Sequence, residues 1–203
     1  MSRITLMILA TGLTLAACNE ATEQRTADAA NRAEATADAA GDRIENVADN
    51  AIASLMPAPG AQDFVNKAAK GDAFEIAAAQ LAASRAQSDE VKAFATRMIK
   101  AHTDSSAKIK AAASMVKPTV KIDAALTIDQ KEDLAELKKL TAARFDEEYM
   151  DGQVEAHEDA LALMRSYASG GTDGRLKSAA GEIASVVEGH LKMARELDAK
   201  IDR

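Results

Sequence analysis

Aromatic residues are scarce in this chain of 203 residues, where they make up 3%, and tryptophan is absent. The core must therefore be built mainly from alanine and the aliphatic side chains. Proline occurs only three times, which leaves long stretches free of helix breakers. No segment shows the alternation of β-branched and polar residues that is typical of a half-buried strand. We therefore expect an all-α fold.

Basic residues are also fewer than acidic ones: the chain has 25 basic and 32 acidic residues, which gives a net charge of −7. The basic residues are dispersed among acids, whereas a nucleic-acid-binding surface needs a clustered basic face. The sequence contains neither a nucleophile elbow nor a glycine-rich phosphate loop. We expect no nucleic-acid partner and no enzymatic activity.

The only cysteine, Cys18, follows a short apolar run that begins after Arg3 and ends in Leu15-Ala16-Ala17. The run is too short for a comfortable membrane span and is typical of an export signal. Leu-Ala-Ala-Cys resembles the bacterial lipobox, which implies removal of residues 1–17 and acylation of Cys18. The alternative is an ordinary signal peptide with a chance cysteine. Asn19 in place of aspartate implies, by lipoprotein sorting rules, an outer-membrane lipoprotein facing the periplasm.

Residues 18–60 are rich in alanine and acidic residues and contain no aromatic residue. Apolar residues from Ala33 to Ala51 recur at steps of three and four, which predicts an amphipathic helix with a thin alanine seam. Such a seam buries little area, so we expect a tether, helical or disordered, between the lipid anchor and the domain. Weak self-association or binding of an envelope protein through this seam is the alternative. Pro57-Ala58-Pro59-Gly60 ends the segment and marks the start of a domain at 61–203.

From Ala61 onward, apolar residues recur at the three- and four-residue steps of long amphipathic helices. Ser88 is placed to cap one helix, and Thr127 with Gln130 resembles a capping box that opens a short one. That short helix either ends near Thr141 or continues with a kink into Phe145–Ala168. The clearest turn spans 169–174. We predict a four-helix bundle with one extra short helix.

Each of three predicted helices carries one histidine on its apolar stripe, and the chain has no other histidines. The central example is Phe145–Ala168, where His157 interrupts a stripe of aliphatic residues. His102 and His190 occupy equivalent places in their own helices. Glu75 lies on the stripe of the first helix, so each long helix offers one candidate ligand.

Four phrases carry a resemblance: FVNKAAKGDAFEI, VKAFATRMIKAHT, FDEEYMDGQVEAH and HLKMARELD. In this order they resemble an uncharacterised family of exported bacterial proteins with a ferritin-like bundle, often called predicted outer-membrane proteins. The resemblance covers about residues 61–200 and implies the fold and the compartment, but no biochemical role. Its recurrent positions are Glu75, His102, Phe145, Asp146, Tyr149, His157 and His190.

A ferritin-like di-iron site requires a Glu-x-x-His pair on two helices. Here the residue three before each histidine is Ile99, Val154 or Val187, so we reject a di-iron site. The set Glu75, His102, His157 and His190 suits one Zn²⁺, Cu²⁺ or Fe²⁺ ion by ligand type. The alternative is a group of structural histidines, hydrogen-bonded to Asp146, Tyr149 or Gln153, that binds no metal. Met98, Met164 and Met193 lie near the histidines in sequence, but methionine in a core is usually a gap filler.

The sequence favours the first of two functions, and the second is the alternative. The first is a non-enzymatic envelope lipoprotein that binds a partner or acts under stress, without a cofactor. The second is a bundle that binds one transition-metal ion through Glu75 and the three histidines.

Overall fold

The computed structural model of the protein describes residues 58–201, without the side chains of residues 142 and 143. Within this range the secondary structure consists of five α-helices and no strand, so the predicted all-α bundle is confirmed. The signal peptide at 1–17, the lipidation site Cys18 and nearly all of the tether at 18–60 lie outside the described residues. Those assignments stay predictions.

Four of the five helices are long and one is short. In chain order they are α1 (Ala61–Arg85), α2 (Asp89–Ala113), α3 (Ile128–Lys139), α4 (Ala142–Gly170) and α5 (Gly174–Ile201). The predicted kinked continuation of α3 into α4 does not occur, because Leu140 is in an extended conformation and separates them. The helix α4 extends beyond both predicted ends, which confines the turn before α5 to residues 171–173.

The long helices form two hairpins, α1 with α2 and α4 with α5, each with extensive contact between its helices. Contact between the hairpins is thinner and joins α1 to α4 and α2 to α5. Phe64 stacks on Tyr167 and Arg85 lies over the ring of Phe145, so α1 and α4 run antiparallel. The chain therefore crosses the bundle diagonally from α2 to α4, and α3 lies on this crossover against α1 and α4.

Side-chain caps fix where several helices begin. The Ser88 hydroxyl accepts hydrogen bonds from the backbone amides of Glu90 and Val91 at the start of α2, as predicted. Thr127 and Gln130 form the predicted capping box of α3. Asp173 accepts from two backbone amides at the start of α5. These caps satisfy amide groups that have no partner inside the helix.

A layer of buried polar side chains separates two apolar clusters in the core. One cluster contains Phe64, Ile109, Met164, Tyr167 and Leu176. The other contains Val91, Phe94, Met98, Phe145, Met150 and Leu197. Along each long helix, buried polar residues lie between or at the boundary of the two clusters; they are Asp72, Glu75, His102, Gln153, His157 and His190. A seventh buried polar residue, Asp146, lies outside this layer, beside Phe145 of the second cluster. The predicted stripes therefore face the core, and the polar layer crosses all four long helices.

Candidate metal centre

Three buried histidines, one each from α2, α4 and α5, converge in the polar layer. One ring nitrogen from each of His102, His157 and His190 lies within 4.8 Å of the others. The ring centroids are 5.6 Å apart for His102 and His157, 5.7 Å for His157 and His190, and 6.3 Å for His102 and His190. The stripes therefore bring the three imidazoles to one level of the bundle, which the sequence did not establish.

The orientation of His102 is fixed by Asp72, a residue of α1 that the sequence reasoning missed. The Nδ1 of His102 lies 2.8 Å from Oδ1 of Asp72. Because a carboxylate only accepts hydrogen bonds, Nδ1 carries the proton, and Nε2 of the neutral ring keeps its lone pair. The other oxygen of Asp72 accepts a hydrogen bond from the Ser106 hydroxyl at 3.0 Å. The Nε2 of His102 then faces Glu75, whose Oε2 is 3.9 Å away.

His157 is oriented by its own helix. Its Nδ1 lies 2.8 Å from the backbone carbonyl oxygen of Gln153, one turn earlier in α4. A carbonyl oxygen also only accepts, so Nδ1 again carries the proton and Nε2 has the free lone pair. A ring N–H bound to a carboxylate or a carbonyl is the usual second shell of a metal-binding histidine. In their neutral form, both imidazoles thus have the tautomer that a metal ion requires.

Glu75 and Gln153 are the other polar residues of the layer, and they bind each other. The Gln153 side-chain amide donates to Oε2 of Glu75 at 2.7 Å and so links α4 to α1. Tyr149 lies one turn before Gln153 on α4, and its ring packs against Phe94 and Phe145. Burial raises the pKa of the Tyr149 hydroxyl, and the negative charge of Glu75 raises it further, so the two groups interact.

Burial and neighbouring charges change the pKa of each histidine. Burial, with the charge of His102 next in importance, lowers the pKa of His157 to about 4. The same two causes, joined by Arg97, lower the pKa of His190 to about 4. Burial also acts to lower the pKa of His102, but the hydrogen bond to Asp72 and the charge of Glu75 outweigh it and raise that pKa. Two of the imidazoles are therefore neutral near pH 7 and can bind a cation.

Several buried polar atoms of this layer have no hydrogen-bond partner among the described residues. They are His102 Nε2, His157 Nε2, His190 Nδ1, Glu75 Oε1, Gln153 Oε1 and Tyr149 Oη. Each unsatisfied buried polar group costs about 1–3 kcal/mol, so a native core rarely contains many of them. These six atoms therefore require water molecules or a ligand to satisfy them.

The donor set fits a single transition-metal ion. A tetrahedral site with metal–nitrogen bonds of about 2.1 Å places neighbouring nitrogens about 3.4 Å apart. The ring nitrogens of this layer, up to 4.8 Å apart, must therefore approach one another by up to about 1.4 Å, which side-chain rotations can supply. Glu75 approaches His102, with its Oε2 3.9 Å from Nε2 of that ring, but it is not among the residues whose ligand atoms all lie within 4.8 Å of one another. Within the described residues no other group of three His, Cys, Asp or Glu residues has metal-binding spacing.

Two of the residues expected to surround the histidines have different roles. Asp146 accepts hydrogen bonds from the backbone amides of Gln87 and Ser88, so it binds the loop just before α2 and not a histidine. Gln153 binds His157 through its backbone oxygen, and its side chain binds Glu75. Of the methionines, Met98 packs in an apolar cluster and the Met193 sulfur contacts Arg97.

The comparisons with known proteins identify a family and a fold but no activity. The sequence profile of a family described as domain of unknown function DUF4142 matches residues 46–197. No curated protein matches the chain. The crystal structure of a DUF305 fragment from Deinococcus radiodurans is similar with a TM-score of 0.58 at 14% sequence identity, over 71% of this chain and 99% of the fragment. At that identity the similarity shows the fold alone.

Between residues 58 and 201, no helix is long and apolar enough to cross a membrane.

Proposed function

The chain belongs to the DUF4142 family, whose function is unknown, and on the chemistry of its polar layer we propose that it binds one divalent transition-metal ion. The ligands are His102, His157 and His190, with Glu75 as the fourth. Of the two functions considered from the sequence, we therefore propose the metal-binding bundle and not the bundle without a cofactor.

One observation carries the proposal: three buried histidines meet with one ring nitrogen of each within 4.8 Å of the others, and each ring has a nitrogen without a hydrogen-bond partner among the described residues. Structural histidines normally use both nitrogens, because an unsatisfied buried polar atom costs free energy. Here Asp72 and the Gln153 carbonyl engage the opposite nitrogens of two rings. A metal ion would satisfy all three free nitrogens at once.

The donor set selects a class of metals. Imidazole and carboxylate ligands suit Zn²⁺, Cu²⁺ and Fe²⁺, and nothing in the layer supplies a thiolate. Affinity for such a site rises from Fe²⁺ to Cu²⁺ and falls again at Zn²⁺. We therefore expect Cu²⁺ to bind most tightly in vitro. A non-enzymatic role in binding or buffering a metal in the cell envelope, including under stress, is the function that we infer.

The compartment is part of the same proposal. Leu15-Ala16-Ala17-Cys18 resembles a lipobox, so we infer an outer-membrane lipoprotein with acylated Cys18 and a periplasmic bundle. Two or more acyl chains give stable anchoring. A ferritin-like origin of the bundle is supported by its one long crossover, from α2 to α4, because ferritin-like folds share that connection.

The proposal is tested with the full mature chain, purified without a chelator or a histidine tag. The melting temperature is measured without metal and with Zn²⁺, Cu²⁺ or Fe²⁺. A ligand that binds only the folded state stabilises it, so we expect a rise that saturates at one ion per chain. In His190→Ala the rise should disappear.

The matched control is Val187→Ala, which shortens a buried side chain one turn before His190 on the same helix. This variant should melt at a lower temperature but keep the metal-dependent rise. If none of the three metals changes the melting temperature of the wild type, the histidines are structural and the proposal is wrong.

A further inference from the structure

A cavity of about 1400 Å³ reaches the polar layer, and all five helices contribute to its walls. Glu75, Tyr149 and Gln153 line it together with His102 and His190. Its lining residues lie along the two faces where the hairpins meet, α1 with α4 and α2 with α5, and contact there is thinner than within each hairpin. A ligand of the histidine cluster thus has two sides from which to approach.

The two sides differ in charge. On the side of α1, α3 and α4 the cavity is lined by five acidic residues, Asp133, Glu136, Glu148, Glu155 and Asp159. Glu136 pairs with Lys139, and the other four acids have no ion pair among the described residues. The lining cations Lys67 and Lys70 are each paired with an aspartate, Asp63 or Asp123. This side therefore presents a negative rim.

The opposite side, between α2 and α5, is positive on balance. Its charged lining residues are Arg97, Lys100 and Lys108 against Asp104 and Glu182. Both of these acids are neutralised, because Asp104 pairs with Lys100 and Glu182 with Lys108. Arg97 donates only to the sulfur of Met193 among the described residues, so its charge is uncompensated. A cation is repelled from this side.

Behind the acidic rim, unpartnered oxygen atoms lead to the histidines. Tyr149, Gln153 and His157 are spaced four residues apart and share one face of α4. The hydroxyl of Tyr149, Oε1 of Gln153 and Oε1 of Glu75 are buried without a hydrogen-bond partner in the described part of the chain. All three residues are at least nine-tenths buried. Such oxygens can replace the water molecules that a divalent ion loses as it leaves solvent.

From this asymmetry we propose that the divalent metal ion reaches His102, His157 and His190 from the α1–α4 side, past the acidic rim and the oxygens of Tyr149, Gln153 and Glu75. The inference rests on the proposed metal-binding function and adds a route to it. A negative cleft raises the local concentration of cations and their association rate.

Two glycines keep this side open. An added Cβ at Gly71 or Gly152 meets no atom within 4 Å, and both residues line the cavity. A larger side chain at Gly152 would therefore extend into the cavity without a clash at its first carbon. This allows the route to be obstructed from a single position.

The first test changes charge. Association of Co²⁺ with the full mature chain is followed by stopped-flow absorbance at low ionic strength. In Glu155→Gln/Asp159→Asn we expect the association rate to fall about three- to tenfold and to depend less on salt. Final occupancy at saturating Co²⁺ should stay at one ion per chain.

The control is Asp104→Asn/Glu182→Gln, which changes the net charge by the same amount on the opposite side. Its association rate should equal or exceed that of the wild type. Equal slowing in both double variants would mean that only the total charge matters, and the route would be wrong.

The second test obstructs the cleft. Gly152→Leu should slow Co²⁺ association at least tenfold without loss of helix content, because the side chain fills the space beside Gln153. Gly189→Leu is the matched control, since Gly189 is also helical and has nothing within 4 Å of an added Cβ, but does not line the cavity. Unchanged association in Gly152→Leu would overturn the route while leaving the metal site intact. Failure of the wild type to bind Co²⁺ would instead overturn the proposed function and the route together.

Discussion

The carboxylate of Asp72 lies 2.8 Å from the Nδ1 of His102 and joins α1 to α2 inside the polar layer. This contact determines which nitrogen of His102 carries the proton, and it holds the other nitrogen toward His157, His190 and Glu75. It also supplies negative charge next to the proposed cation. Asp72 is therefore a positioning residue for the metal centre, although it does not face the other two histidines itself.

Replacing Asp72 with asparagine should weaken metal binding about 10- to 100-fold, the usual effect of removing a second-shell partner. The amide removes the charge and can either donate to Nδ1 or accept from it, so the tautomer of His102 is no longer fixed. Titration calorimetry with Zn²⁺ measures the loss. Asp63→Asn, an exposed carboxylate of α1, should bind as the wild type does. Equal affinity in the two variants would contradict the positioning role.

In the metal-free protein, His157 and His190 should each make the fold less stable as the pH falls from about 6.5 to 4. Glu75, whose pKa burial raises, opposes this change. In this window His157 is protonated in the unfolded chain, where its pKa is near 6.5, but stays neutral in the native state, where burial lowers the pKa to about 4. The unfolded state then binds more protons, and each such group lowers the free energy of unfolding by up to about 1.4 kcal/mol per pH unit. His102, whose pKa is raised, acts in the opposite direction: its contribution is present below 6.5 and is lost at higher pH.

The measurement is urea unfolding with a chelator present, at pH 7.5 and pH 5, for the wild type and His157→Gln. The variant lacks one of the groups with a lowered pKa, so its stability should decrease less between the two pH values. An identical decrease in the free energy of unfolding of both proteins would show that His157 has the same pKa in the folded and the unfolded state, which would contradict the prediction.

Leu197 tests the register of α5. It is buried in the apolar cluster that includes Phe145 and Met150, so Leu197→Ala should destabilise the protein by about 2–5 kcal/mol through the loss of buried methylene groups. Lys200→Ala, on an exposed position of the same helix, should change stability by less than about 0.5 kcal/mol. Both are measured by chemical denaturation. Similar values for the two variants would mean that α5 presents a different face to the core.

Processing at Cys18 is a separate prediction that depends only on Leu15-Ala16-Ala17-Cys18. The mature protein should begin at an acylated Cys18 and fractionate with membranes, and Cys18→Ser should release it into the soluble fraction. Intact mass spectrometry of the membrane fraction gives the N-terminus directly. A mature N-terminus at another residue, without acyl chains, would refute lipidation.

The helices and their buried faces were predictable because apolar spacing is a local property of the sequence. The stripe of α5, for example, is buried at Leu176, Ile183, Val187 and Leu197, as expected. Whether two stripes meet at the same height is different, because it depends on loop geometry and on packing between helices. The meeting of His102, His157 and His190 therefore required the structure.

The partners of the histidines were harder to predict than the histidines. Asp72 was missed because alanine around it makes the register of α1 ambiguous, although its position three residues before Glu75 puts both carboxylates on neighbouring parts of one face. Asp146 was expected near a histidine, but the amino-terminal end of α2 offers free backbone amides to a carboxylate, and Asp146 binds those of Gln87 and Ser88. Side chains that serve a helix end and those that serve a site look alike in sequence.

The most direct measurement is a crystal structure of the mature protein soaked in Zn²⁺, with anomalous diffraction recorded at the zinc edge. We expect one peak in the polar layer, about 2.1 Å from Nε2 of His102, Nε2 of His157 and Nδ1 of His190, with a Glu75 oxygen as the fourth ligand. A layer without a peak, or zinc bound only at surface carboxylates, would contradict metal binding by these histidines.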